Sequence, residues 1–176
     1  MRSAFILLIT AIVVYYYSLI GMGYIFNPIS NATTDLFSAI TAVAVPLLLW
    51  VIANWCLTTL FEGEGSMKDI FIAACYCLTP LILLRLPMTI ISNFIVADEA
   101  GIIRLFETLA FLWLGLLLFI AMMVTHDYSV GKNILTCIAT IVGMAFIMFI
   151  AILFSTLIGR VISFIASVVQ EISYRF

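Results

Sequence analysis

The stretch ILTCIATIVGMAFIMFIAILFSTLI, residues 134–158, contains no charged side chain and decides the fold. The hydrocarbon core of a bilayer is about 30 Å thick, and an α-helix crosses it with about 20 apolar residues. Lipid offers the backbone no hydrogen-bond partners, so a segment of this kind must satisfy its own backbone groups by forming a helix. The stretch therefore predicts a transmembrane helix.

Four apolar segments of similar length precede this one. Together the predicted spans cover residues 4–26, 37–61, 70–92, 105–125 and 134–158. The segments between them are short and rich in Gly, Pro, Asn and Asp, which favour connections. Because short connections join antiparallel neighbours, the sequence predicts an all-α integral membrane protein. We expect a five-transmembrane-helix bundle that forms a single domain over residues 1–176, with a C-terminal amphipathic helix.

The composition agrees with this prediction and excludes several other classes of protein. Of the 176 residues, 66% are hydrophobic and only 9% are charged, whereas soluble domains carry about 25% charged residues. The net charge is −2 and no basic tract is present, so nucleic acid is not an expected partner. Cys75 and Cys77 are two residues apart and point in different directions on a helix, so the two thiols are not expected to bind one metal ion together. We expect no metal site and no cofactor.

The first hairpin predicts the orientation of the chain in the membrane. Arg2 and the N-terminal amino group precede span one, and the first connection contains no Lys or Arg. Because basic residues concentrate on the cytoplasmic side of a membrane, we expect the N-terminus to lie in the cytoplasm.

Residues 160–174 are predicted to form the C-terminal amphipathic helix. Val161 and Ile165 fall on its apolar side, whereas Arg160 and Glu171 fall on the opposite side. This helix either lies in the membrane interface or extends span five. Its apolar side either packs on the protein's own bundle or docks another protein or anionic lipid.

Arg85 is a cation well inside an apolar run, a placement that requires a partner. Glu107 lies one turn inside span four, at the same membrane face, and Arg104 precedes it by three residues on the same side of the helix. We therefore expect contact between Arg85 and Glu107 across the hairpin. Such a contact would be either a structural ion pair or part of a polar conduit for a substrate, a proton or a headgroup.

Prolines and one amide add to this possible intramembrane polar cluster. Pro46, Pro80 and Pro87 each remove a backbone donor and are predicted to kink spans two and three. Asn54 is expected to face another helix, as interhelical hydrogen-bonding residues do, and we assign it to the cluster with Arg85, Glu107 and Arg104.

His126 and Asp127 place an imidazole beside a carboxylate, which is the composition of a general base or a metal ligand. A single histidine makes a poor metal site. We expect instead that Asp127 and Ser129 cap the fifth span near Lys132, because short polar side chains occupy helix starts. The sequence contains no recognisable catalytic site.

Two loops carry a family resemblance. The segment 55–80, in which the loop EGEGSMK leads into a span that carries Tyr76 and Pro80, resembles the membrane core of the YIP-domain (Ypt/Rab-interacting) superfamily. The loop THDYSVGK (125–132) and the end QEISYR (170–175) resemble the bacterial branch. This resemblance implies a five-span bundle with a cytoplasmic N-terminus, in a bacterial plasma membrane.

The same resemblance limits what function we expect. Eukaryotic members are associated with Rab GTPases through a long cytosolic N-terminal region, and only residues 1–3 precede the first predicted span. We therefore expect a non-enzymatic membrane protein that scaffolds or assists other membrane components such as a transporter, with the bilayer and a membrane-protein partner or a second copy around it. The alternative is a small transporter, channel or lipid-handling protein whose route passes Arg85, Glu107 and Asn54.

Overall fold

Helices form all the regular structure in the computed structural model, which describes residues 1–23 and 35–175. In chain order the elements are α1 (Arg2–Gly21), α2 (Leu36–Thr58), α3 (Met67–Cys77), α4 (Thr79–Ile91), a 3-10 turn (Ala97–Glu99), α5 (Ala100–His126) and α6 (Val130–Arg175). Within those ranges, five helical segments are long and apolar enough to cross a membrane, and α3 with α4 forms the third. The predicted all-α architecture with five spans is confirmed.

The ends of the spans differ from the predicted boundaries. α5 begins at Ala100 rather than at residue 105, and α6 begins at Val130 rather than at residue 134. Helical hydrogen bonding does not stop where the apolar run stops, because polar residues at the membrane surface continue a helix equally well. Residues 24–26, the end of predicted span one, and residues 27–34 of the first connection lie outside the described residues.

The third span is broken near its middle. α3 ends at Cys77 and α4 begins at Thr79, with Leu78 between them and Pro80 in the first turn of α4. A proline is tolerated there because its missing N–H group would have no partner in the first turn. Pro46 and Pro87, in contrast, lie inside uninterrupted helices.

α3 lies at the centre of the bundle, in contact with α1, α2 and α5. Small side chains such as Ala4 and Ala74 are fully or almost fully buried at these contacts, beside the larger Ile70 and Met122. Small residues let transmembrane helices approach closely, which increases the dispersion contacts between them. Large apolar side chains cover the outside of the bundle, where lipid surrounds them.

α6 is a single helix of 46 residues, about 69 Å long at a rise of 1.5 Å per residue. Its first half packs mainly on α2, which contributes Ala53 opposite Gly143. From Met148 to Tyr174, every side chain described is exposed. The predicted amphipathic helix of residues 160–174 is therefore not a separate element, since it continues span five without a break. We call residues 148–174 the C-terminal extension.

Candidate functional site

A cavity of about 280 Å³ lies among the five spans and is lined mainly by apolar side chains. Every span contributes to its wall. The wall includes Tyr15 of α1, Trp50 of α2, Leu78 and Arg85 of the third span, Leu118 of α5 and Met144 of α6. Pro46 also faces this cavity, from within the uninterrupted α2. Ligand sites in helical bundles are built in this way, between facing helices.

Arg85 turns toward an aromatic ring and not toward the carboxylate expected from the sequence. Its guanidinium carbon lies 4.4 Å from the centre of the Tyr15 ring, a distance at which cations bind aromatic faces. Glu107 borders the same small crevice as Arg85, but these two described residues form no ion pair, whereas Lys132 pairs with Glu62. The expected pairing of Arg85 with Glu107 is therefore wrong. The Tyr15 ring stabilises the cation without a second buried charge, whose desolvation would be costly.

Two buried N–H groups, in residues that line the cavity, have no acceptor. They are Nε of Arg85 and Nε1 of Trp50. Both groups are donors only, so neither can satisfy the other. Sequence reasoning identified Arg85 but missed Trp50 and Tyr15, which are unremarkable aromatic residues in apolar runs.

Asn54 does not lie with Arg85, Glu107 and Arg104. Arg85 follows the start of the third span by 18 positions, which is about 27 Å along a helix, whereas Asn54 lies close to the end of α2 at Thr58. Because the connection after α2 and the start of the third span share one membrane face, Asn54 and Arg85 are near opposite faces. Arg104 is exposed on α5, so of the predicted cluster only Arg85 and Glu107 border a common crevice, and they form no ion pair.

Asn54 instead joins His126 in a hydrogen-bond network that links three spans. The Nε2 atom of His126 lies 2.8 Å from the side-chain oxygen of Asn54. The side-chain nitrogen of Asn54 donates to the hydroxyl of Thr140 over 3.1 Å, and that hydroxyl donates to the carbonyl of Thr136. His126, Asn54, Thr136 and Thr140 are all buried. The network ties the ends of α2 and α5 to the first three turns of α6.

The partner of the other ring nitrogen fixes the tautomer of His126. The backbone N–H of Gly65 donates to Nδ1 over 3.2 Å, so Nδ1 is an acceptor and the proton is assigned to Nε2. Both ring nitrogens are therefore engaged with neutral groups. An imidazole held in this way has no lone pair available to accept a proton from a substrate or to bind a metal ion.

The loop between α2 and α3 packs on this imidazole through two glycines. A Cβ atom at Gly63 would lie 2.6 Å from Nδ1 of His126, and one at Gly65 would lie 2.8 Å from its Cε1. Tyr128 also stacks on the imidazole, with its ring centre 5.0 Å from that of His126. Sequence reasoning assigned no role to these two glycines. The spacing of the two glycines was the available signal, and it could not be interpreted without knowing that His126 lies beneath them.

Asp127 has a different role from the one expected. Its φ angle is 52°, in the left-handed region, and the backbone N–H of Tyr128 donates back to the carbonyl of Met123. Such a residue ends a helix, so Asp127 terminates α5 and does not cap α6. The carbonyl of Ser129 accepts the first helical hydrogen bond of α6, from Asn133.

Lys132 forms an ion pair with Glu62 of the loop between α2 and α3. Its Nζ atom lies 3.7 Å from a carboxylate oxygen of Glu62. Both side chains are at least partly exposed, so this pair contributes little stability.

The C-terminal extension carries a regular pattern that the sequence interpretation overlooked. Small residues recur at every fourth position, namely Ala151, Ser155, Gly159, Ser163 and Ser167. Positions four apart lie one turn apart and about 40° apart around a helix, so these residues form a small-residue face that winds by about 160° from Ala151 to Ser167. A face of this kind is typical of close contacts between transmembrane helices.

Comparison with known protein families gives a match. The family model described as Yip1 domain matches residues 1–154. No curated protein and no solved structure matches the chain.

Proposed function

This chain belongs to the Yip1 domain family, and we propose that it scaffolds or assists other membrane components, such as a transporter, without catalysing a reaction. The family and the five apolar helices make it a multi-pass membrane protein. The role as an assisting protein is our proposal, and one observation carries it: the C-terminal extension leaves the bundle with its side chains exposed on every side.

The length of α6 supports this proposal. A helix of 46 residues is more than twice as long as the roughly 20 residues that cross a bilayer. The bundle itself needs only the first part of α6, because the hydrogen bond to Asn54 and the contacts with Ala53 involve Thr140 and Gly143. The matched family region also ends close to this point, at residue 154. The extension is therefore available for a contact outside the bundle.

The surface of the extension indicates what kind of partner would fit. Phe149, Phe154 and Phe164 are exposed, and the small-residue face runs along the helix beside them. Apolar faces with small residues associate with other apolar helices. We therefore propose a helix of another membrane protein as the partner, with a second copy of this chain as the alternative result of the experiment below.

The experiment compares the full-length chain with a chain that ends at residue 154, each purified in mild detergent from native membranes. Quantitative mass spectrometry then identifies the proteins that copurify. We expect the shorter chain to fold and to lose the copurifying proteins. Gly159→Ile with Ser163→Ile should reproduce this loss, whereas Val161→Leu with Ile165→Leu, on another side of the same helix, should not. An unchanged set of copurifying proteins after truncation would contradict the proposal.

The alternative from the sequence, a transporter or channel, predicts a different result. A purified transporter moves a solute or a lipid in proteoliposomes without any partner, and neutralising Arg85 or Glu107 would reduce that movement. The scaffolding role predicts no movement by the purified chain alone. We propose a bacterial plasma membrane as the location, because two segments resemble the bacterial branch of the family. We propose a cytoplasmic N-terminus because Arg2 precedes the first span and the first connection has no Lys or Arg.

A further inference from the structure

The cavity of about 280 Å³ among the five spans is too large to be a packing defect. Native interiors contain few voids larger than a water molecule, and one water needs only about 10–15 Å³ of such space. An empty space of this size would deprive the surrounding side chains of dispersion contacts. Water is a poor occupant, because each molecule needs two to four polar partners and the wall is apolar except near Arg85, Trp50 and Tyr15.

The two unsatisfied donors indicate the chemistry of a better occupant. A buried donor without an acceptor costs free energy, and the great majority of buried donors have a partner. Nε of Arg85 and Nε1 of Trp50 are both buried without one. Since arginine stays charged in proteins and accepts no hydrogen bonds, its natural partner is an anion with oxygen acceptors.

The rest of the wall indicates what the anion is attached to. Leu47, Leu78 and Leu118 also line the cavity. They would contact an aliphatic chain and exclude water from it, which is favourable in proportion to the apolar area buried.

We propose that this cavity binds an amphiphile with one anionic oxygen headgroup and an aliphatic chain, with the headgroup on Arg85 and the chain among the leucines. The Tyr15 ring, whose centre lies 4.4 Å from the guanidinium carbon, holds the guanidinium in place. A free fatty acid and an anionic phospholipid of the bilayer both have this chemistry. The proposal does not depend on the scaffolding role.

The chain offers a direct reporter, because Trp50 lines the cavity and the other two tryptophans do not. Trp55 and Trp113 are 48% and 49% exposed and face outward. A protein with Trp55→Phe and Trp113→Phe therefore reports the cavity alone. A reference protein with Trp50→Phe and Trp113→Phe keeps only Trp55 and reports probe that dissolves in the surrounding lipid.

Each protein is placed in nanodiscs of phosphatidylcholine and titrated with dibromostearic acid, whose bromine atoms quench tryptophan fluorescence on contact. We expect saturable quenching of Trp50 that is reversed by unbrominated stearic acid, and weak, non-saturable quenching of Trp55. A second set of nanodiscs, containing a brominated anionic phospholipid, distinguishes a lipid of the bilayer from a free fatty acid as the occupant.

Charge variants connect the quenching to Arg85. Arg85→Gln should weaken binding by about tenfold or more, as expected for the loss of one charge-assisted hydrogen bond. Arg104→Gln is the matched control, because it removes the same charge from the same membrane face but is exposed and lines no part of the cavity. Arg85→Lys keeps the charge and replaces Arg85→Gln in the experiment if that variant does not fold. We expect its affinity to lie between those of the original protein and Arg85→Gln. Equal quenching of Trp50 and Trp55, or equal affinities in the variants at positions 85 and 104, would overturn the proposal.

Discussion

His126 and Asn54, 72 positions apart in sequence, lie 2.8 Å apart through Nε2 and the side-chain oxygen. The contact joins the ends of α5 and α2, and Gly65 completes it from the loop between α2 and α3. Because every member of the network has a partner, the polar groups are buried without an unsatisfied donor, which is the condition for a buried network to stabilise a fold. The network therefore fixes how the second, fourth and fifth spans meet at one membrane face.

Removing one side of this contact should destabilise the bundle. Asn54→Leu leaves Nε2 of His126 buried without an acceptor, and we expect a loss of about 1–3 kcal/mol in the free energy of unfolding. A double-mutant cycle with His126→Phe, measured by unfolding in mixed detergent micelles, should show a coupling energy of about 0.6–1.7 kcal/mol. Thr156→Val is the control, since its hydroxyl is exposed and bonds only within α6. Additive effects of the two changes would show that the contact does not stabilise the protein.

The two loop glycines should tolerate no side chain. Alanine at Gly63 would approach Nδ1 of His126 and the hydroxyl of Tyr128, and alanine at Gly65 would lie 2.8 Å from the methyl group of Thr125. Overpacking of this kind costs about 1–3 kcal/mol, and we expect lower unfolding temperatures for both variants. At Gly131, a Cβ atom meets nothing within 4 Å, so Gly131→Ala should be neutral or stabilising because alanine favours a helix. Equal unfolding temperatures for the variants at 63 and 131 would contradict this packing.

Tyr128 should make the protein sensitive to alkaline pH. Burial raises the pKa of its phenol above the ordinary value, and the nearby Glu62 carboxylate raises it further. The unfolded chain therefore loses this proton at a lower pH than the folded chain. The stability that the neutral phenol maintains is complete below about pH 10 and is lost as pH rises from there through the folded pKa.

Tyr128→Phe should remove that contribution. The hydroxyl of Tyr128 is buried without a hydrogen-bond partner, so its removal at pH 7 should cost little or should stabilise the protein. The measurement is the difference in unfolding free energy between the two proteins as a function of pH, because the other tyrosines cancel in it. We expect the original protein to lose stability relative to Tyr128→Phe above about pH 10. A difference that stays constant with pH would exclude Tyr128 as the cause.

Much of the fold could be predicted because bilayer solvation acts on each segment independently. The five apolar runs, the all-α class and the family resemblance were all readable from local sequence, and each is confirmed. Membership of the bacterial branch stays a prediction. The end of span five could not be predicted, because the amphipathic pattern after Arg160 fits a separate helix and a continuous one equally well.

The contacts between spans were harder to predict than the spans. Arg85 and Glu107 were paired on charge and membrane depth, but neither property reveals the rotation of a helix about its axis, and the guanidinium faces Tyr15 instead. Asn54 was recognised as an interhelical residue, whereas its partner His126 was interpreted within its own loop. A pair separated by 72 positions leaves no local signal, since each partner is compatible with many others until the helices are packed.

The hydrogen bond between Gly65 and His126 places the loop after α2 and the end of α5 on one membrane face, so one labelling experiment tests the orientation of both. In a background with the four native cysteines replaced by alanine, Glu64→Cys and Asp98→Cys each remove one exposed carboxylate, from loops at opposite ends of the third span. With the N-terminus in the cytoplasm, a membrane-impermeant maleimide should label position 98 in intact cells and position 64 only after permeabilisation. Labelling of position 64 in intact cells would reverse the orientation, and labelling of both would show that the third span does not cross the membrane.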